Sequence, residues 1–200
     1  MIPHPPCGST AGGGNNHTCA RLSDSTVKCW GRGDFNQLGN GNSSNQNSPV
    51  AVTGINDALS IYSGKNYTCV LRNSGKNKCW GNISGTSRGN ASSQKTPIQV
   101  SGISNVTQVS AGRSHSCARL GDSTVKCWGS NGYGQLGDDS QTNRITPVAV
   151  SGISNATQVS LGGDHSCARL SDSTVKCWGS GGSGMLGNGY VLSQSTPVSV

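Results

Sequence analysis

Bulky apolar side chains are scarce in this chain. Aromatic residues make up 4% of its 200 positions, against 30 glycines. So little bulk excludes one large hydrophobic core as the sole source of stability. No apolar run reaches 18 residues, which excludes a membrane-spanning helix. Helix start and stop signals are missing as well. There is no Ser-His-Asp order, no phosphate-cradling glycine loop and no cluster of carboxylates, so no catalytic residue, cofactor or metal ligand is expected. The formal charge of +7 is spread along the chain rather than gathered in one stripe, so it reads as a solvated surface and not as a nucleic-acid interface. The opening Met-Ile-Pro-His-Pro-Pro-Cys has no apolar stretch resembling a signal peptide.

What the chain does have is a repeat. Cys, nine residues, then Cys-Trp-Gly occurs four times, as Cys19/Cys29-Trp30, Cys69/Cys79-Trp80, Cys117/Cys127-Trp128 and Cys167/Cys177-Trp178. The first cysteines step by 50, 48 and 50 residues. Pro49, Pro97, Pro147 and Pro197 close the units, and Gly14, Gly64, Gly112 and Gly162 precede the first cysteines at constant distance. A period of this size marks a tandem array. Eight cysteines in regular pairs suggest one disulfide per unit and an oxidising, extracellular-type compartment. Zinc is the competing reading, but it usually draws on close C-x-x-C knuckles, which this gap lacks. A turn at Ser23-Asp24-Ser25 places Leu22 opposite Thr26, Ala20 opposite Lys28 and Cys19 opposite Cys29. Opposed residues of a non-hydrogen-bonded pair lie about 4.5 Å apart at Cα, within disulfide reach. The lack of a signal peptide conflicts with an oxidising compartment unless the chain is a mature or excised piece.

Unit three predicts four short strands, approximately Thr107 to Ala111, His115 to Leu120, Thr124 to Trp128 and Pro147 to Val150, joined by Gly, Ser, Asn and Asp turns. The expected fold is all-β, with propeller-type tandem repeats of four blades of about four strands each, open or completed between molecules. The boundaries are an irregular segment 1–14, repeat 1 over 15–52 with its first strand weak or missing, a divergent repeat 2 over 53–100, repeat 3 over 101–150 and repeat 4 over 151–200. Ala111-Gly-Arg-Ser-His-Ser-Cys-Ala-Arg-Leu120, Thr124-Val-Lys-Cys-Trp-Gly129, Gly134-Gln-Leu-Gly137 and Thr146-Pro-Val-Ala-Val150 together resemble the regulator of chromosome condensation repeat family, in its extracytoplasmic, disulfide-containing form. The resemblance covers nearly everything after residue 12. It implies a β-propeller, commonly a ring of seven blades, with Trp30, Trp80, Trp128 and Trp178 packing the blades. Unit two departs most: Arg88 stands where unit one has Leu38, Ser74 where it has Asp24, and Asn77 where it has Val27.

His17, His115 and His165 share one slot, which Tyr67 fills in unit two, so a packing or hydrogen-bonding role is favoured over ligation or catalysis. Arg21, Arg119 and Arg169 fall near Asp24, Asp122 and Asp172, which suggests local turn pairing. Glycosylation sequons have acceptors Asn16, Asn42, Asn66, Asn82, Asn90, Asn105 and Asn155. Cys7 is left over, a candidate for an intermolecular bond. The functional expectation is a non-enzymatic, secreted, glycosylated structural protein that associates end to end with itself into a filament or multi-chain ring. The alternative is a binding module that recognises a protein or glycan through loops such as Gly31–Asn36, which contains Arg32-Gly33-Asp34, and Gly129–Gly134. A nucleotide-exchange role of the kind known in the family is a distant third.

Overall fold

The computed structural model describes residues 11–83 and 93–200. Its sixteen strands form four antiparallel meanders of four. Blade 1 contains β1 (Ala11–Gly13), β2 (His17–Arg21), β3 (Val27–Gly31) and β4 (Gln46–Ala51), and blade 2 contains β5 (Ala58–Ser63), β6 (Tyr67–Arg72), β7 (Asn77–Gly81) and β8 (Gln94–Gln99). Blade 3 contains β9 (Val106–Ala111), β10 (His115–Leu120), β11 (Val125–Gly129) and β12 (Arg144–Ala149). Blade 4 contains β13 (Ala156–Leu161), β14 (His165–Leu170), β15 (Val175–Gly179) and β16 (Gln194–Ser199). Blades 1 and 2 make one compact unit, and blades 3 and 4 make another.

The central hairpin of every blade has the same register. Cys19 faces Cys29, Ala20 faces Lys28, and the Leu22 amide donates to Thr26 at 2.9 Å. The turn is tightened by Asp24, whose carboxylate accepts from the Thr26 amide at 2.9 Å and its hydroxyl at 2.6 Å. Asp122 and Asp172 repeat this on Thr124 and Thr174. Ser25 closes the turn at φ 64°, a left-handed conformation for which blade 2 uses Gly75 at φ 69°.

The pairs Cys19–Cys29, Cys69–Cys79, Cys117–Cys127 and Cys167–Cys177 are disulfides, each with Cα atoms 4.1 Å apart. Closing so short a loop gives about 3 kcal/mol by chain entropy. Replacing both Cys117 and Cys127 by serine is therefore expected to lower the stability of blades 3 and 4 by about 3 kcal/mol. Denaturant titration of the otherwise oxidised protein measures this.

The first strand of unit one, expected to be weak or missing, is present but short: Ala11–Gly13 pairs with β2, Gly12 opposite Cys19. Glycine has no side chain to contribute there, which keeps the strand to three residues but does not prevent its backbone from pairing. The fourth strand of unit three begins at Arg144, and Pro147 lies inside it. β12 is an edge strand, where a residue without an N–H does not break an interior ladder.

The core lies between blades rather than within them. In the first unit Val27, Leu38 and Val52 of blade 1 and its 52–55 linker pack with Ile61, Val70 and Trp80 of blade 2. In the second, Val125, Leu136 and Val150 pack with Val159, Ala168 and Trp178. A four-stranded sheet with small side chains cannot cover its own faces, so each blade is stabilised chiefly by its neighbour.

Candidate functional site

The polar residues that the sequence singles out converge on the seams inside these two units. In the first, His17 Nε2 lies 2.8 Å from the Thr68 hydroxyl, and that hydroxyl donates to the Gln37 carbonyl at 3.3 Å. Trp80 Nε1 donates to the same carbonyl at 2.9 Å. The second unit repeats the network with His115 Nε2 2.9 Å from Ser166 Oγ, Ser166 donating to the Gln135 carbonyl at 2.9 Å and Trp178 Nε1 donating to it at 3.0 Å. One carbonyl of the Gly-Gln-Leu-Gly or Asn-Gln-Leu-Gly segment thus receives two donors from the next blade.

A histidine beside a hydroxyl has the composition of a base and nucleophile, but the geometry here works against that use. The hydroxyl proton is committed to a carbonyl, so the imidazole must donate rather than accept. His115 is 1% exposed and Ser166 fully buried, which leaves no approach for a substrate. Burial lowers the His17 pKa to about 4. Burial, and then the neighbouring His165, lower that of His115 to about 3. Both rings are neutral near pH 7 and serve as fixed donors between sheets.

The invariant glycines are explained by the same rings. A Cβ on Gly112 would lie 2.4 Å from His115 Cε1 and 2.7 Å from the Gly162 carbonyl of the next blade; one on Gly64 would meet the Tyr67 ring at 1.9 Å. Gly112→Ala is expected to cost about 1–3 kcal/mol, read as a lower thermal midpoint with the disulfides intact.

Other sequence candidates fall elsewhere. Arg21 does not pair with Asp24 as expected: its Nε donates across the seam to the Ala58 carbonyl at 2.7 Å, and its guanidinium reaches Ser25 Oγ at 3.2 Å. The Asp24, Asp122 and Asp172 carboxylates are already engaged by their threonines, whose hydrogen bonds hold their pKa values below the usual range. In the Arg32-Gly33-Asp34 loop the two charges pair with each other at 2.6 Å, and Arg32 lies 5.1 Å over the Phe35 ring. Trp80 and Trp178 are fully buried and Trp128 is 3% exposed, whereas Trp30 is half-buried. Sequon residues Asn16, Asn42 and Asn105 are exposed, and Asn66, Asn82 and Asn155 are half-buried. Cys7, Arg88 and Asn90 lie outside the described residues. Among the described residues no group of three His, Cys, Asp or Glu side chains is placed to hold a metal ion.

Two seam elements were missed in the sequence. The hydroxyl residue just before each first cysteine, Thr18, Thr68, Ser116 or Ser166, is as constant as the histidine slot and was the available signal. Gln108 is the other: it clamps the Val159 backbone, donating to the carbonyl at 3.1 Å and accepting from the amide at 2.9 Å.

Known structures share this architecture. Human WBSCR16 superposes with a TM-score of 0.82 at 20% identity, over 95% of this chain and 52% of that one. Yeast RCC1 (Prp20), solved with Kap60 bound, gives 0.81 at 22% identity over 95% and 48%. The ectodomain of the Arabidopsis thaliana receptor kinase ACR4 gives 0.51 at 24% identity over 84% and 54%. The chain therefore spans about half the length of these proteins. The family profile described as the regulator of chromosome condensation (RCC1) repeat matches residues 25–71, 79–119 and 123–169, and a second profile of the same description matches 11–37, 106–135 and 156–184. With repeat profiles and blade topology in agreement, this chain is a member of the regulator of chromosome condensation (RCC1) repeat family.

Proposed function

We propose that this chain is a non-enzymatic protein-binding propeller module of an oxidising compartment, carrying N-glycans on its turns. The observation that carries the reading is the division of labour among its residues. His17, His115, Thr68, Ser166, Trp80 and Trp178 are used up in the seams, while large apolar side chains are left on the loops of blades 3 and 4. Tyr133 is 52% exposed, and Tyr190, Val191 and Leu192 are 67%, 68% and 65% exposed. The Asp139 amide donates to the Ser195 carbonyl at 3.1 Å, so the Tyr133 loop is tied to the chain just beyond Leu192. Exposed tyrosine beside aliphatic residues has the composition of a protein-recognition surface. Yeast RCC1, which shares the fold, was crystallised with a protein, Kap60. Disulfides in every blade support the oxidising compartment, and the exposed Asn16, Asn42 and Asn105 support glycan attachment.

The test is to express the chain through a secretory pathway, map its glycopeptides, and screen it for binding against an array of folded extracellular proteins. A specific partner whose binding falls at least tenfold in Tyr133→Ser and Tyr190→Ser, with unchanged melting, supports the reading. Binding unaffected by both variants, or absence of glycans on every acceptor, counts against it.

A further inference from the structure

The loop between β3 and β4 in blade 1 and the loop between β11 and β12 in blade 3 are built to one plan but carry different side chains. The Phe35 amide donates to Gln37 Oε1 at 2.8 Å in the first, and the Tyr133 amide to Gln135 Oε1 at 2.9 Å in the second, so the two rings hold the same place. Blade 2 packs on blade 1 as blade 4 packs on blade 3, which gives the two loops equivalent settings. In blade 1 the ring is already occupied: Arg32 lies 5.1 Å over it and pairs with Asp34 at 2.6 Å, and Phe35 is half-buried. In blade 3 Ser130 stands where blade 1 has Arg32, and Tyr133 is exposed.

A carboxylate nevertheless stands beside the bare ring. Asp139 takes up φ 60° in the slot where Gly41 and Gly189 take up 89° and 82°. A side chain in that left-handed region carries a strain that glycine escapes. The fold makes little use of the acid in return: its Oδ1 accepts from Ser195 Oγ at 3.3 Å, and among the described residues it forms no ion pair. Its neighbour Asp138 is fully engaged, accepting from Asn131 Nδ2 at 3.0 Å, Ser140 Oγ at 2.8 Å and Arg144 Nε at 3.2 Å. Asp139 and the Tyr133 turn meet at one residue. The Asp139 amide donates to the Ser195 carbonyl at 3.1 Å, and a Cβ on Gly134 would lie 2.5 Å from Ser195 Cα.

We propose, on the basis of the protein-binding reading given for this loop, that it takes an arginine from the partner protein: the guanidinium lies over the Tyr133 ring and pairs with the Asp139 carboxylate, the arrangement that Arg32, Phe35 and Asp34 make within blade 1. Charge and shape both select this group. A guanidinium is planar, so it stacks on a ring face while its N–H fork grips a carboxylate, whereas a lysine ammonium meets the carboxylate only as a point charge. The bonds to Asp138 hold the loop in place beforehand, so little ordering is needed on binding. Asp139 keeps its strained conformation for a contact outside the chain.

The probe is a phage-displayed library of random, cysteine-free dodecapeptides, panned on the full chain with its disulfides intact and counter-selected on Tyr133→Ser. Recovered peptides are expected to share an arginine beside an apolar residue. Replacing that arginine by alanine, and Asp139→Gly in the protein, are each expected to weaken binding by about tenfold or more in fluorescence anisotropy, and the two losses are expected not to add, since they remove one contact. Asp139→Gly is expected to melt no lower than wild type, because glycine takes up this φ freely; a structural duty for the acid would lower the midpoint. Ser130→Arg gives blade 3 the arginine of blade 1 and is expected to fill the site from within, again weakening peptide binding about tenfold. Peptides that are lost on Tyr133→Ser yet bind Asp139→Gly as tightly as wild type overturn the arginine assignment and leave the protein-binding reading standing, as does a recovered set without arginine. A panning that returns no Tyr133-dependent peptide also overturns the assignment, and the screen against folded proteins then decides the broader reading. Asp139→Asn keeps the Ser195 contact and removes only the charge, so it decides if the glycine variant melts early: undiminished binding overturns the assignment, and a loss of about tenfold supports it.

Discussion

Acidification from pH 7 to pH 4 is expected to remove several kcal/mol of stability from this protein, chiefly through two buried histidines. In the unfolded chain a histidine takes up its proton near pH 6.5, whereas buried His17 resists protonation to about pH 4 and His115 to about pH 3. Between these limits the unfolded state binds more protons, so stability falls as pH falls. It is fully present above 6.5 and is lost progressively toward the folded-state value. At about 1.4 kcal/mol per pH unit, His17 accounts for roughly 3 kcal/mol in the first unit, and His115 for somewhat more in the second. Losses of that size are a large share of a typical domain's stability. Tryptophan fluorescence in denaturant reports the transition directly, because Trp80 and Trp178 share their carbonyl acceptors with the hydroxyls that the two rings contact. His17→Gln and His115→Gln are expected to start less stable at pH 7 but to lose little more by pH 4. A wild-type midpoint that is flat across this window means that the rings are solvated and the seam is not built as described.

The hairpin was legible because its determinants are local. Nine residues between cysteines, Asp24 before Thr26 and a residue tolerant of positive φ fix the register without reference to the rest of the chain. The repeat period and the edge-strand prolines gave the blade count by the same local means. Strand limits were less legible where pairing rather than composition decides them. Ala11–Gly13 looks like loop as a sequence and becomes a strand only because β2 offers it a ladder.

The seam was half legible. A shared slot for His17, His115, His165 and Tyr67 indicated a ring with a structural duty, but its partner is 51 residues away, one repeat later. Nothing in a single unit shows that a side chain is satisfied by the following copy of the unit. Arg21 illustrates the error this invites. The nearby Asp24 looked like its partner, yet the carboxylate is occupied by its own turn and the guanidinium crosses to a carbonyl of the next blade. In an array whose core lies between repeats, the stabilising contacts of a polar residue are best sought one period away.

Trp178→Ala tests that principle at its largest amplitude. The indole is fully buried, belongs to the core shared by blades 3 and 4, and closes over Gly137, where a Cβ would come within 2.8 Å of its Nε1. Truncating a buried tryptophan costs about 3–5 kcal/mol, from lost burial together with the cavity left behind. Trp178→Phe separates packing from the hydrogen bond. The Gln135 carbonyl keeps its bond from Ser166 at 2.9 Å, so loss of the indole N–H leaves no orphaned acceptor, and the phenylalanine variant is expected to lose about 1–2 kcal/mol. Trp30 is the internal control, since it occupies the same place in the hairpin but is only half-buried. Trp30→Ala should cost about half as much as Trp178→Ala. Equal losses at the two positions would mean that the indole stabilises its own blade, and that the seam is not where the energy of this fold resides.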